Sequence, residues 1–159
     1  MIIEIFADGI DRAHIALQNR HISCRGIVIK NDKILGEYWQ TTDVFNLPGG
    51  GVEPNETFAQ CCAREITEET GVIVTVGDQT CVVMEYFANE TWESHFFRCN
   101  VISEDVNRQT LTEAEKQANL TIKWYDIYEF LGILENYTSQ NPYGDNIHQR
   151  ELIGLLNSI

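Results

Sequence analysis

Residues 47–72 read Leu47-Pro-Gly-Gly-Gly-Val-Glu-Pro-Asn-Glu56, continued by Thr57 to Ala63 and by Arg64-Glu-Ile-Thr-Glu-Glu-Thr-Gly-Val72, and they organise the rest of the chain. Three consecutive glycines let the backbone approach a ligand closely. The segment from Thr57 to Thr70 contains neither Pro nor Gly, and Gly71 is a natural left-handed stop. The pattern predicts a glycine-rich loop followed by a helix. The helix face predicted to be buried consists of Ala59, Cys62, Ala63 and Ile66.

Three carboxylates in this helix are placed against the ordinary rules of helix stability. Glu65, Glu68 and Glu69 share an arc of about 100°, where like charges repel by about 0.2–0.5 kcal/mol per pair. They also crowd the last turns, where the helix dipole is negative and cations would be favoured. A hard divalent cation would reverse both penalties, because Mg²⁺ binds carboxylates, water and substrate phosphates. A solvated glutamate face is the alternative interpretation of such a run taken alone.

The spacing of the fixed residues carries a family resemblance. Gly50 is followed by five residues and Glu56, then by seven residues and the run Arg64–Val72. At every fixed position this resembles the Nudix box, G-x5-E-x7-R-E-U-x-E-E-x-G-U with U apolar. The chain therefore resembles a MutT-like Nudix hydrolase. The resemblance implies an α/β fold, namely an α/β/α sandwich with a mixed sheet and a catalytic loop and helix. It also implies a Mg²⁺-dependent pyrophosphohydrolase, with Mn²⁺ as an alternative cation.

The resemblance also assigns roles to residues of the box. The implied metal ligands are Glu65, Glu68, Glu69 and the Gly50 carbonyl. Glu56 and Arg64 are implied to be the pair that braces the loop against the helix, a role that suits a bidentate contact. Together with the three glutamates they form the candidate catalytic set. Because like-charge neighbours raise a carboxyl pKa, one of the three could act as the general base.

Other charged residues are candidates for the site. Family members often recruit a further carboxylate from a loop outside the box. Glu113 and Glu115 are the first candidates here, followed by Glu90 and Glu93; a solvated loop charge is the alternative for each. Arg25 could reach a phosphate, although a surface cation is the plainer interpretation. Arg25 and Glu113 are the candidate substrate contacts.

The box does not specify the substrate beyond a nucleoside diphosphate linked to another group. No proline lies between Pro54 and Pro142, so the downstream proline of ADP-ribose pyrophosphatases is absent. The proline-rich run of NADH pyrophosphatases is absent too, which leaves a nucleoside triphosphate or related nucleotide as the default. Trp39, Trp92 and Trp124 could stack on a base, but aromatics in strands more often pack in the core.

Composition limits the partners of the chain. A net charge of −13 argues against binding to a nucleic acid backbone, although a bound cation would admit small phosphorylated ligands. No apolar run approaches 18 residues, which predicts no membrane span. Met1–Asp8 lacks the basic start and apolar centre of a signal peptide, so the cytoplasm is the expected compartment. The sequence does not indicate the oligomeric state. Many relatives are dimers, so the resemblance is compatible with a homodimer.

The cysteines and histidines do not suggest a rival site. The five cysteines are Cys24, Cys61, Cys62, Cys81 and Cys99. Their odd number and the lack of a C-x-x-C pair argue against a disulfide framework or a zinc site. Cys24, Cys81 and Cys99 lie in apolar runs and are predicted to be core residues. The histidines have no ligand spacing: His14, His21, His95 and His148.

One domain is predicted over residues 1–159, with helices on both faces of a mixed sheet. The predicted strands are Ile22–Lys30, Lys33–Trp39, Val44–Leu47, Val72–Val76, Thr80–Phe87, His95–Ile102 and Ile122–Tyr125. Gly77-Asp78 is predicted to be a turn, Ala88–Glu93 a connection and Asn107–Asn119 a loop. Helices are predicted from Asp126 to about Leu134, opened by a capping box, and from Ile147 to Leu156.

Two functions from other classes stay open. A Nudix-fold sensor would bind a nucleotide without turnover, but the full set of Glu65, Glu68 and Glu69 favours an enzyme. A prenyl-diphosphate isomerase shares the implied fold, but the complete hydrolase-type box and the shorter chain argue against it.

Overall fold

A mixed sheet forms the framework that holds the glycine loop and its helix. The computed structural model describes residues 1–17 and 19–159, without the side chains of His14, Ala16 and Leu17. The prediction for His14 therefore lies outside the described residues. The described residues form eight strands: β1 Ile2–Phe6, β2 Asn19–Lys30, β3 Lys33–Trp39, β4 Val44–Asn46, β5 Gly49–Gly51, β6 Val72–Tyr86, β7 Glu90–Glu104 and β8 Leu120–Asp126.

The described residues also form four α-helices: α1 Phe58–Thr70, α2 Glu113–Gln117, α3 Ile127–Asn136 and α4 Gly144–Leu156. Short 3-10 helices cover Arg12–Leu17 and Val106–Arg108. The sheet order is β1-β6-β7-β2-β3-β4, with β5 added to β2 and β8 added to β3. The β1–β6 and β2–β7 pairs are parallel and the other pairs are antiparallel, so the sheet is mixed as expected.

Two apolar cores lie on opposite faces of the sheet. One packs α1 against β2, β6 and β7 through residues such as Cys62, Ile66 and Cys99. The other packs α3 and α4 against the opposite face through residues such as Phe130 and Leu155. Alternate side chains of a strand point to opposite faces, which is why β2 supplies both cores. The predicted α/β class, with helices on both faces, is confirmed.

The cysteines are all buried, free thiols. Cys24, Cys81 and Cys99 are core residues, as predicted. Cys61 is buried as well, whereas Ala59 of the predicted buried face is exposed. The helix therefore rolls toward Cys61 relative to the expectation, and this rotation takes Glu69 into the interior.

Several boundary predictions were wrong. Gly77 and Asp78 do not form a turn: β6 runs continuously through them, and its pairing with β7 shifts register between Val76 and Gln79. A β-bulge absorbs the extra residues without ending a strand. Strand β7 begins at Glu90, so the predicted connection Ala88–Glu93 is mostly strand.

The segment Asn107–Asn119 is not simply a loop. It contains α2, which opens with a capping box between Thr112 and Glu115. Helix α3 begins after Asp126, whose side chain accepts from the N–H groups of Tyr128 and Glu129. Helix α4 begins at Gly144 instead of Ile147. None of the described helices is long and apolar enough to cross a membrane.

Candidate active site

The glycine run is a short strand, β5, that pairs antiparallel with β2. Gly49 has φ 147°, and a Cβ there would lie 2.0 Å from the Cys24 carbonyl oxygen. A Cβ on Gly50 would lie 2.5 Å from Cδ of Glu65. The loop backbone therefore sits directly against strand β2 on one side and a carboxylate of the helix on the other, and glycine is required for both approaches.

Helix α1 holds the box carboxylates in place through well-formed ends. Thr57 caps the first turn and forms a capping box with Gln60. Gly71 ends the helix in the left-handed conformation at φ 74°, and its N–H donates to the Thr67 carbonyl. These caps satisfy backbone groups that would otherwise lack partners. Both boundaries agree with the prediction.

Glu56 and Arg64 form a bidentate pair between the loop and the helix. Arg64 Nε lies 3.0 Å from Glu56 Oε2, and Nη2 lies 2.7 Å from Oε1. Nη2 also donates to the Gly51 carbonyl at 3.1 Å. The guanidinium holds the pKa of Glu56 down at about 2. The pair ties the loop to the helix, as the bracing role requires.

Arg64 also lies between two of the helix carboxylates. Its Nη1 is 2.8 Å from Glu65 Oε1 and 3.2 Å from Glu68 Oε2. Burial raises the pKa of Glu65 in spite of this contact. Glu65 lines the main cavity, whereas Glu68 is half-exposed and does not. The two carboxylates therefore share one positive nitrogen at the edge of the cavity.

Glu69 is the buried member of the set. Its Oε2 accepts from the Gly49 N–H at 2.7 Å, so the helix directly orients the loop backbone. Burial raises the pKa of Glu69 well above its usual range, and the neighbouring carboxyl of Glu37 raises it further. A carboxyl group that is 2 % exposed and next to another carboxyl is costly to ionise, and the nearby Arg25 guanidinium offsets only part of that cost.

Glu37 is a site residue that the sequence interpretation missed. It lies on β3, is fully buried, and has a pKa raised by burial to about 7. Its Oε2 accepts from Trp39 Nε1 at 3.1 Å, and its Oε1 has no hydrogen-bond donor among the described residues. The signal in the sequence was a single acidic residue inside the strand Lys33–Trp39.

The donor set fits a hard divalent cation. Carboxylate and carbonyl oxygens are the ligands that Mg²⁺ takes. Burial raises the pKa of each of Glu37, Glu65 and Glu69, and Glu37 Oε1 is a buried oxygen that has no donor among the described residues. In the described part of the chain, no three acidic, His or Cys side chains form a ready-made cage.

The carboxylates open onto a cavity of about 820 Å³. Its floor and rim include Glu65, Glu69, Gly50, Arg25 and Glu85. Other lining residues come from the end of β3, the β3–β4 loop, the β6–β7 turn, the start of β7, α2, the segment before α4 and α4 itself: Trp39, Thr42, Phe87, Glu90, Trp92, Glu115, Asn141, Tyr143 and Arg150. A mainly concave, partly aromatic cavity of this size suits a nucleotide-sized ligand.

The structure separates the candidate loop carboxylates into two groups. Glu115 and Glu90 line the cavity, although Glu115 Oε2 accepts from the Thr112 N–H at 2.6 Å. Glu113 lies outside the cavity, is strongly exposed and is paired with Lys116 at 2.8 Å. Glu93 is buried away from the cavity, against His95 and Arg20.

Arg25 lies in the cavity wall and braces the loop. Its Nη1 donates to the Gly49 carbonyl at 2.6 Å and, more weakly, to the Leu47 carbonyl at 3.3 Å. Its Nε is 3.8 Å from Glu151 Oε1 and has no hydrogen-bond partner among the described residues. Arg25 thus places a positive charge beside the carboxylates while holding the loop.

A second buried charged group was also missed. Arg150 and Glu151 lie on α4, for which the sequence predicted a helix but no charged site. Arg150 Nη2 contacts Glu151 Oε1 at 2.5 Å and Asn46 Oδ1 at 3.2 Å, and Nη1 contacts Glu85 Oε2 at 3.5 Å. Two adjacent charges on a mostly apolar helix face were the available signal.

Of the three tryptophans, two line the cavity. Trp39 and Trp92 are cavity residues, and the Trp92 ring stacks on His21 with centroids 4.5 Å apart. Trp124 packs against the core beneath α1. The expectation of a core position is therefore right for Trp124, and the base-stacking alternative remains available for the other two.

Comparisons with known proteins agree with this geometry. A family model described as the NUDIX domain matches residues 10–147. A NUDIX hydrolase from Nitrosomonas europaea is similar in structure, with a TM-score of 0.64 and 23% identity over 86% of this chain and 90% of that one. A MutT protein from Methanosarcina mazei Go1 has a TM-score of 0.58 and 19% identity over 84% and 93% of the two chains. An ADP-ribose pyrophosphatase from Streptococcus suis 89-1591 has a TM-score of 0.55 and 15% identity over 86% and 90%.

Proposed function

The chain belongs to the NUDIX domain family, and from this we infer that it is a hydrolase of nucleotide phosphoanhydride bonds. We propose that it cleaves a nucleoside diphosphate linked to a second group, such as a nucleoside triphosphate, with Mg²⁺ as the preferred cation and Mn²⁺ as a substitute. The observation that carries the proposal is the close packing of the Gly50 backbone against the Glu65 carboxyl, since a Cβ on Gly50 would lie 2.5 Å from Glu65 Cδ and both residues line the cavity.

The candidate ligands of the cation are Glu65, Glu68, Glu69 and the Gly50 carbonyl. When bound, a divalent cation supplies positive charge to the phosphoryl oxygens and lowers the pKa of a bound water. Neutralising charge and positioning a water are the main requirements of phosphoryl transfer, since little covalent chemistry is left to the protein. The raised pKa values of Glu65 and Glu69 are consistent with a proton-accepting role for one member of the set.

The remaining residues of the site position the reacting groups. Arg64 and Glu56 fix the loop on the helix, and Glu69 fixes the Gly49 N–H. Arg25 supports the same loop from β2 and contributes positive charge for a phosphate of the substrate. Arg25 therefore serves as both a brace and a candidate phosphate contact, whereas Glu113 has no place in this arrangement.

The test is a panel of nucleoside triphosphates, dinucleoside polyphosphates and nucleoside diphosphate sugars incubated with the protein and Mg²⁺. Release of a nucleoside monophosphate, with phosphate or pyrophosphate or the phosphorylated second group, is the expected result. EDTA should abolish it, and Mn²⁺ should restore part of it. Tight binding of one nucleotide without turnover of any would instead support a sensor.

A further inference from the structure

The cavity contains a buried carboxylate that the hydrolytic site does not use. Glu85 lies on β6, is 3 % exposed, and lines the cavity. Among the described residues, its carboxyl accepts one long hydrogen bond, of 3.5 Å, from Arg150 Nη1. Arg150 is already well paired with Glu151, through Nε at 2.9 Å and Nη2 at 2.5 Å. Glu85 is therefore a buried acceptor with capacity to spare for a ligand.

The carboxyl groups around Glu85 outnumber the guanidinium groups, so Glu85 can accept further hydrogen bonds. Four buried carboxyl groups face two guanidinium groups in this part of the interior: Glu37, Glu69, Glu85 and Glu151 against Arg25 and Arg150. A buried carboxylate with incomplete pairing is costly unless it accepts further hydrogen bonds. A ligand that brings N–H groups would satisfy it.

The position of Glu85 in the sheet places aromatic rings beside it. Glu85 and Trp92 are directly opposite in the β6–β7 register, so both side chains point to the same face of the sheet. Both line the cavity, together with Phe87. One face of the Trp92 ring is covered by His21. A carboxylate next to an indole can bind a planar base, because the carboxylate accepts hydrogen bonds from the edge of the base and the indole stacks on its face.

Asn46 adds a donor at the same place. Its Oδ1 accepts from Arg150 Nη2 at 3.2 Å, which leaves the amide N–H groups to donate. Asn46 and Glu85 are thus held by the two Nη atoms of one guanidinium, and both line the cavity. The site presents a carboxylate acceptor and an amide donor side by side.

We propose that Glu85, Asn46 and Trp92 form a subsite for a guanine base. Guanine presents two adjacent N–H donors, N1–H and the N2 amino group, next to the O6 acceptor. A carboxylate can accept both donors at once, and the Asn46 amide can donate to O6. Adenine and cytosine offer one amino group beside a ring acceptor, and uracil offers one N–H between two carbonyls. This inference rests on the proposed function in making the substrate a guanine nucleotide.

The test measures binding separately from turnover. Calorimetric titration of the full chain with GMP, AMP, CMP and UMP in the presence of Mg²⁺ should show GMP bound at least about tenfold more tightly than AMP, as expected for hydrogen bonds to a charged group. Glu85→Gln should reduce this preference to within about threefold, because the neutral amide offers one acceptor. Trp92→Leu should weaken all four nucleotides by a similar factor. Glu104→Gln removes the same charge from the far end of the same hairpin and should leave the preference unchanged.

Equal affinities for the four nucleotides, a preference for AMP, or a guanine preference that survives Glu85→Gln would overturn the inference. The inference would also be overturned if the affinity depended on a diphosphate-linked sugar and not on the base. If Glu85→Gln does not fold, as judged by thermal unfolding, Glu85→Asp withdraws the carboxylate and should lose the same preference. GMP-selective binding without any turnover would support the subsite and defeat the hydrolase. Turnover without any preference for guanine would support the hydrolase and overturn the subsite.

Discussion

Oε2 of Glu69 accepts a hydrogen bond of 2.7 Å from the Gly49 N–H, and this contact joins the buried end of α1 to the glycine loop. The same carboxyl lies beside Glu37 from β3. A change in the charge of Glu69 therefore acts on the loop backbone and on a neighbouring acid at once.

Gly50→Ala should abolish most turnover while leaving the protein folded. The new Cβ would lie 2.5 Å from Cδ of Glu65, so the carboxylate must move away from the loop. Gly51→Ala is the matched control, because a Cβ there meets nothing within 4 Å. Steady-state rates with the best substrate of the panel, and unfolding midpoints for both variants, would check this. Equal rates for the two variants would show that the Gly50–Glu65 contact is unimportant.

Glu37→Gln should stabilise the metal-free protein at alkaline pH. Burial raises the pKa of Glu37 from about 4.5 to about 7, so its ionisation in the folded state costs stability as pH rises through that range. The cost is absent below about pH 4.5 and reaches about 3 kcal/mol well above pH 7. Urea unfolding in EDTA at pH 5 and pH 8 should show a smaller loss for Glu37→Gln than for the wild type.

Glu104→Gln serves as the control for this prediction, since Glu104 is half-exposed and paired with Lys30. The control should follow the wild-type pH dependence. A wild-type protein with the same unfolding free energy at both pH values would show that Glu37 does not carry the charge assigned to it.

Glu56→Gln should destabilise the protein at neutral pH, which is the opposite of the effect expected for Glu37→Gln. Arg64 lowers the pKa of Glu56 from 4.5 to about 2, so the pair stabilises the fold above pH 4.5, and this contribution is lost as pH falls toward 2. At pH 7 the variant should lose about 1–3 kcal/mol of unfolding free energy. Its stability should also vary less with pH between 4.5 and 2.

The exposed pair Glu113–Lys116 provides the comparison for Glu56. Glu113→Gln should change the unfolding free energy far less than Glu56→Gln does, as expected for an exposed surface pair. Guanidinium unfolding curves at pH 3 and pH 7 would measure both variants. Similar losses for Glu113→Gln and Glu56→Gln would argue against the bracing role.

Much of this site follows from the sequence. The loop, the cap at Gly71 and the three carboxylates of α1 lie within one continuous motif, so local spacing was enough to place them. Glu37, Glu85 and Arg150 come from β3, β6 and α4 and meet only through tertiary packing. The rotation of α1 about its own axis could not be predicted from the apolar pattern alone. Cys61 is buried and Ala59 is exposed because packing against the core sets this rotation.

Asp43→Ala should raise KM several-fold with little change in kcat. Asp43 accepts from Tyr38 at 2.7 Å, from Tyr137 at 2.5 Å and from the Gln140 N–H at 2.7 Å. These bonds fasten the β3–β4 loop to the segment that carries the cavity residues Asn141 and Tyr143. Loosening that segment should weaken substrate binding more than the chemical step.

Asp43 adopts φ 55°, a conformation that costs a side-chain residue some strain. Asn31→Ala at φ 51° is a control for that backbone effect, because Asn31 lies in the distant β2–β3 turn. Asn31→Ala should lower stability without changing KM. A loss of kcat with unchanged KM in Asp43→Ala would contradict the assigned role.

Metal-dependent hydrolysis by the carboxylates of α1 is tested by measuring kcat for the wild type and Glu69→Gln, side by side, with the best substrate at saturating Mg²⁺. Gln keeps an oxygen for the Gly49 N–H but removes the charge, so kcat should fall at least about a hundredfold in a protein that remains folded. A Glu69→Gln protein that turns over substrate at the wild-type rate would contradict the account.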